Sequence, residues 1–121
     1  MKVFRFDAET TRAITQYSSR GLTMSPILRM DGPARVDIMY FAPDGLVGGH
    51  ETRANQLFLI VHGNGWVRAR DHGPIAISAG QAAFWTAGEW HESGTAQGMT
   101  AIVVEGAAVD PHGIVPEQME T

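Results

Sequence analysis

Short apolar runs closed by turns recur along this chain, and that rhythm constrains its fold more than any other feature. Val36–Ala42 (VDIMYFA) ends on Pro43-Asp44-Gly45, Leu57–His62 (LFLIVH) is nearly all apolar, and Thr100–Glu105 (TAIVVE) is the last strong run. Between them Trp66–Arg70, Ile75–Ser78 and Gln81–Thr86 read as strands, separated by Asp71-His72-Gly73-Pro74 and Ala79-Gly80. A strand-to-strand spacing of about 8–12 residues marks a sandwich or a barrel. Glycine supplies 14 of the 121 residues and proline 6, enough turn formers for so many reversals. No helical periodicity persists beyond about two turns. The expected class is all-β, with a jelly-roll barrel first and an up-and-down barrel second.

Several local features sharpen this. Lys2–Phe6 reads as a strand, and Asp7 is placed to cap a single helical turn through Thr10. Pro26–Met30 reads as another strand, closed by Asp31-Gly32-Pro33. Asn64-Gly65, between two apolar runs, predicts a hairpin turn. The stretch from Asp110 to Thr121 looks like a loose tail. The expected organisation is therefore N-terminal strands at 1–34 packing on the barrel or on a dimer partner, a barrel core at 35–106, and a C-terminal tail at 107–121.

Composition removes several function classes. Cysteine is absent, so thiol nucleophiles, thiolate metal sites and disulfides are excluded. Net charge is −4 with no block of Lys or Arg, and Arg68 with Arg70 on one strand face do not make a phosphate track, so no nucleic-acid partner is expected. No apolar run approaches the roughly 18 residues of a membrane span, and Met1–Asp7 has no signal-peptide core, so a cytoplasmic protein with no membrane partner is expected. No serine sits in a nucleophile elbow, no two acids can be placed face to face, and no helix follows Gly48-Gly49 to hold a phosphate.

Two clusters carry the candidate chemistry. One runs from Gly45 through His50, Thr52 and Gln56 to Gly63; the other runs from Gly80 through Gly88 to His91. Strand alternation puts His50 and Thr52 on one side and Glu51 on the other. Gln56 shares a face with Phe58 and Ile60. If the sheets close as a jelly roll, His50, Gln56 and His91 converge inside, where Thr52, Phe58, Ile60, Phe84 and Trp90 would line a pocket. Trp66 and Trp85 are further candidates for its wall, and by default core or interface aromatics. His62, His72 and His112 read as surface residues. Two imidazoles suit Fe, Mn, Ni, Zn or Cu. With Gln56 neutral and Thr52 a poor ligand, a carboxylate would have to come from Glu89, Glu92 or Glu105, since Glu51 points away.

Together the clusters resemble the two motifs of the cupin superfamily, over roughly residues 45–95. In the first motif His50 falls on the first histidine, Thr52 stands in place of the second, Gln56 in place of the glutamate, and Gly63 on the closing glycine. In the second, Gly80, Gly88 and His91 match, while Thr86 replaces the proline and Thr95 the asparagine. The resemblance implies a cupin-type double-stranded β-helix and a homodimer. It also implies a divalent metal at His50, Gln56 and His91 acting on a small organic molecule, in a dioxygenase or isomerase reaction. The changed ligand types leave open a non-catalytic, metal-free barrel that binds or senses a small ligand through its histidines. A third reading is metal-free acid–base catalysis by His50 or His91.

Overall fold

Alternating β-branched and aromatic residues form ten strands in a computed structural model that describes residues 1–118. They are β1 (Lys2–Arg5), β2 (Arg12–Ala13), β3 (Thr23–Met24), β4 (Arg35–Phe41), β5 (Leu46–Glu51), β6 (Gln56–Ala69), β7 (Ile75–Ser78), β8 (Gln81–Trp85), β9 (Trp90–Gly94) and β10 (Met99–Glu105). Eight of them join into one antiparallel sheet. One layer runs β1-β8-β6-β10-β4; the other pairs β5 with β9, and β9 and β7 with the second half of β6. The architecture is the all-β barrel that the strand rhythm implies.

The long strand β6 builds both layers. The Asn64-Gly65 hairpin expected from the sequence does not form; the chain continues as one bent strand from Gln56 to Ala69. The reason lies in the flanking glycines. Gly63 has φ +80°, and a Cβ there would meet the Gly98 carbonyl oxygen at 2.4 Å; one on Gly65 would meet the Gly94 oxygen at 2.1 Å. The glycines therefore let a continuous strand turn the corner against β9 and β10 instead of reversing it. The opposing strand carries a register shift at Thr100/Ala101.

Between the layers lies one core: Phe58, Ile60, Val67, Ile77, Ala83, Trp85, Met99, Ala101 and Val103. A second core covers the outer face of the first layer, where Phe4, Leu57, Leu59, Ala82 and Phe84 pack with Val109 and Val115. The expected strand at Pro26–Met30 is absent. The segment has no strand partner, and Ile27, Leu28 and Met30 pack on this second core. Residues 110–118 are not a loose tail either. Val109 is fully buried, Val115 is 5% exposed, and backbone bonds tie Arg5 N to Pro116 O and Gln118 N to Val3 O. Residues 119–121 of the expected tail lie outside the described residues. Asp7 caps its turn as expected, its side chain accepting from Glu9 N. Among the described residues no helix is long and apolar enough to cross a membrane.

Candidate functional site at the barrel end

His50 and His91 face each other directly across β5 and β9. Their ring centroids are 4.5 Å apart, tilted by 54°. His91 is 3% exposed, whereas His50 lies open to solvent. His50 Nδ1 sits 2.8 Å from the Gly48 carbonyl oxygen. A carbonyl only accepts, so Nδ1 carries a proton, and in the neutral ring the lone pair lies on Nε2. On its other side His91 lies against Trp85, with centroids 4.5 Å apart and planes tilted by 36°, and Trp85 in turn lies 5.9 Å from Phe58. The result is a column of rings running from solvent into the core.

Two polar atoms in that column are orphaned. Trp85 Nε1 and His91 Nδ1 are buried and have no hydrogen-bond partner among the described residues. An orphaned buried donor is costly, on the order of 1–3 kcal/mol. Burial, with the neighbouring His50 second, holds His91 below the usual imidazole pKa; the backbone and carboxylate of Glu89 and the backbone of His50 oppose the shift in part. His91 is therefore biased to its neutral form, able to donate from one nitrogen and accept at the other.

The sequence-predicted residues divide. Gln56 is 9% exposed, on the inner face with Phe58 and Ile60, and directly opposite Trp85. Phe58 joins the ring column, and Ile60 lies deeper in the same core. Three others are not brought to it. Thr52 falls beyond the end of β5, in a loop pinned by Glu89 O and Gly88 N, and its hydroxyl donates to Ala54 O. The alternation that would have paired it with His50 stops at Glu51. Phe84 is on the opposite sheet face, edge-on to Phe4 at 6.4 Å. Trp90 also faces outward. It covers Gly49, where a Cβ would come within 1.9 Å of the indole, and carries the Arg68 guanidinium 5.0 Å from its ring centroid.

Of the candidate carboxylates, Glu89 is occupied by Thr86 N and the Met1 amino group, and Glu92 pairs with Arg68 at 2.7 Å on the outer face. Glu105 alone shares the inner face, opposite Gln56. Among the described residues no three His, Asp or Glu side chains gather around a point that could hold a metal. Two imidazoles and a neutral amide do not fit a tightly held resident cation, because nothing in the set offsets its charge.

Trp85, one of several candidate wall aromatics in the sequence, is the hub of the ring column, and one residue escaped the sequence reading. Asn55 ties the loop before β6 to two distant segments: it accepts from Ala87 N at 2.9 Å and donates to Val109 O at 3.0 Å. No local signal reveals partners 32 and 54 residues away. An open cleft of about 390 Å³ lies at the other end of β4, lined by Met39, Tyr40, Phe41, Ala42 and residues 45–47, and it does not include the histidine pair.

No family model matches the chain, and no curated protein does. Solved structures are similar. A predicted oxalate decarboxylase from Thermotoga maritima is 24% identical, with a TM-score of 0.54, over 59% of this chain and 64% of that one, so this chain spans less than two thirds of it. An RmlC-like cupin from Shewanella frigidimarina is 19% identical, with a TM-score of 0.58, over 69% and 75% of the two chains. A cupin superfamily protein from Desulfitobacterium hafniense is 17% identical, with a TM-score of 0.58, over 91% of this chain and 100% of that one. At these identities the likeness establishes the fold.

Proposed function

We propose that this cupin-fold barrel binds a small organic molecule at the barrel end carrying His50, His91, Trp85 and Gln56, with the histidines acting as hydrogen-bonding groups. The observation that carries this reading is the pair of orphaned buried nitrogens, Trp85 Nε1 and His91 Nδ1, beside an imidazole open to solvent. An indole N–H can only donate, so the missing partner is an acceptor. His91, biased neutral, can relay a proton within such a complex, which keeps acid–base chemistry open to the same site.

A second reading has one observation in its favour. The bond from His50 Nδ1 to Gly48 O is the kind of support that orients a metal-ligating imidazole. In that reading His50, His91 and Gln56 would hold an exchangeable divalent ion (Fe, Mn, Ni, Zn or Cu), which would supply Lewis-acid chemistry to a dioxygenase or isomerase. Protein purified without an affinity tag separates the two. The first reading expects less than about a tenth of an equivalent of transition metal, and ligand-induced thermal stabilisation that EDTA leaves unchanged. Stoichiometric metal, or stabilisation abolished by EDTA, overturns it in favour of the second.

The proposal includes a cytoplasmic homodimer. Its support is an exposed apolar strip on β4, where Val36 is 62%, Ile38 51% and Tyr40 78% exposed. The β2–β3 hairpin also stands apart from the barrel with Tyr17, Leu22 and Met24 exposed, and an isolated two-stranded ribbon is marginally stable alone. Residues 1–34 would contribute the hairpin to the partner, with 35–106 as the barrel proper.

A further inference from the structure

Glu105 has no use in the arrangement described so far. Cross-strand register strings four residues around the barrel end: Trp85 opposite Gln56, Gln56 opposite Glu105, and Glu105 opposite Arg35. Ala101 and Val103 face the inner core, so alternation along β10 turns Glu105 inward too, beside Gln56. Asp37, opposite Val103, shares that face. Directly opposed strand residues of opposite charge ordinarily pair. Here Arg35 turns along its own strand instead, its Nε 2.7 Å from Asp37 Oδ2. Among the described residues Glu105 is left without a cation at ion-pair distance. Gln56 is 9% exposed, and among the described residues its amide, which still touches solvent, makes no side-chain hydrogen bond.

We infer that this corner, formed by Gln56, Glu105 and Asp37, receives the ammonium group of a small organic cation. The inference rests on the reading of this barrel end as a ligand site, and adds the charge of the ligand. Register and alternation place three acceptors on this face, the two carboxylates and the Gln56 carbonyl oxygen, beside the Gln56 NH2 as a donor. Two carboxylates against one guanidinium leave the corner one negative charge in excess. An ammonium has three donors and no acceptor, which complements that set; a ligand carboxylate would meet Glu105 as a like charge. The orphaned Trp85 and His91 nitrogens, next along the same arc, leave a place for an acceptor atom elsewhere on the ligand.

Three probes of equal chain length separate the possibilities: n-butylammonium chloride, 1-butanol and sodium butyrate. Each is titrated into ¹⁵N-labelled protein and followed at the Gln56 side-chain amide and the His50 and His91 ring nitrogens. The expected result is a saturable shift of the Gln56 signal with butylammonium and none with butanol. Affinity should fall about tenfold or more in Glu105→Gln and be largely kept in Glu105→Asp, since a charge-assisted contact is lost in one and retained in the other. Equal response to butanol, no response to butylammonium, or unchanged binding by a folded Glu105→Gln protein overturns the ammonium assignment. Butyrate shifting the histidine nitrogens while butylammonium shifts nothing overturns that assignment alone and leaves the ligand site standing. Silence of Gln56, His50 and His91 towards all three probes counts against both.

Discussion

At the scale of single residues, His91 links the site to stability. Its pKa lies below the ordinary value near 6.5 in the folded chain, first through burial. As pH falls through that value the unfolded chain takes up a proton that the native site resists. The unfolded state then binds more protons, so stability drops with falling pH. Melting temperatures measured from pH 8 to pH 5 should decline, and His91→Gln should flatten the decline. His50→Ala should shift the wild-type curve partway, because the second cause of the depression goes with it. Trp85 is a packing residue as well as a site residue. Trp85→Ala opens a void between Phe58 and His91 and should cost about 3–5 kcal/mol in denaturant unfolding, whereas Trp85→Phe should retain much of that stability.

At the scale of elements, the strands that the sequence resolved are those whose alternation is reinforced by a turn on each side. β4, β7 and β8 lie within a residue of the expected spans because Pro43-Asp44-Gly45, Gly73-Pro74 and Ala79-Gly80 bound them, and β10 matches its expected span as closely. The bent strand β6 misled because Asn64-Gly65 reads the same whether a chain reverses or turns a corner, and the deciding atoms, the Gly94 and Gly98 oxygens, come from residues far along the sequence. Gly63→Ala should therefore destabilise by more than about 2 kcal/mol, combining a positive-φ penalty with displacement of the Gly98 carbonyl; guanidinium melts would show it. The site was partly legible for the same reason. His50, Gln56 and His91 each fall within a strand, Gln56 at the start of β6 and His50 just after a register shift in β5, so their faces follow from their strands. Thr52 lies one residue past the end of β5, and Phe84 differs from Trp85 only in parity, which a one-residue ambiguity erases.

At the scale of the whole molecule, two apolar outer surfaces are treated differently. The one over β1, β6 and β8 is closed by residues 109–115, with Val109 and Val115 inserted and His112 edge-on to Phe4 and Phe84 at 5.3 and 5.7 Å. Ending the chain after Gly106 should expose Leu57, Phe4 and Phe84 and give an aggregating product, since each buried valine alone contributes about 1.5–3 kcal/mol. The other, on β4, stays open. Ile38→Glu should convert a dimer to a monomer in light scattering while leaving the melting temperature of the dilute monomer nearly unchanged; a wild-type monomer would dispose of the dimer. The bent strand β6 has a last consequence, in time rather than in space. It is hydrogen-bonded to β8 and β10 in one layer and to β7 and β9 in the other, so no single layer can open without it. Its amide protons should be the slowest in the molecule to exchange with deuterated water, released only when the whole barrel unfolds.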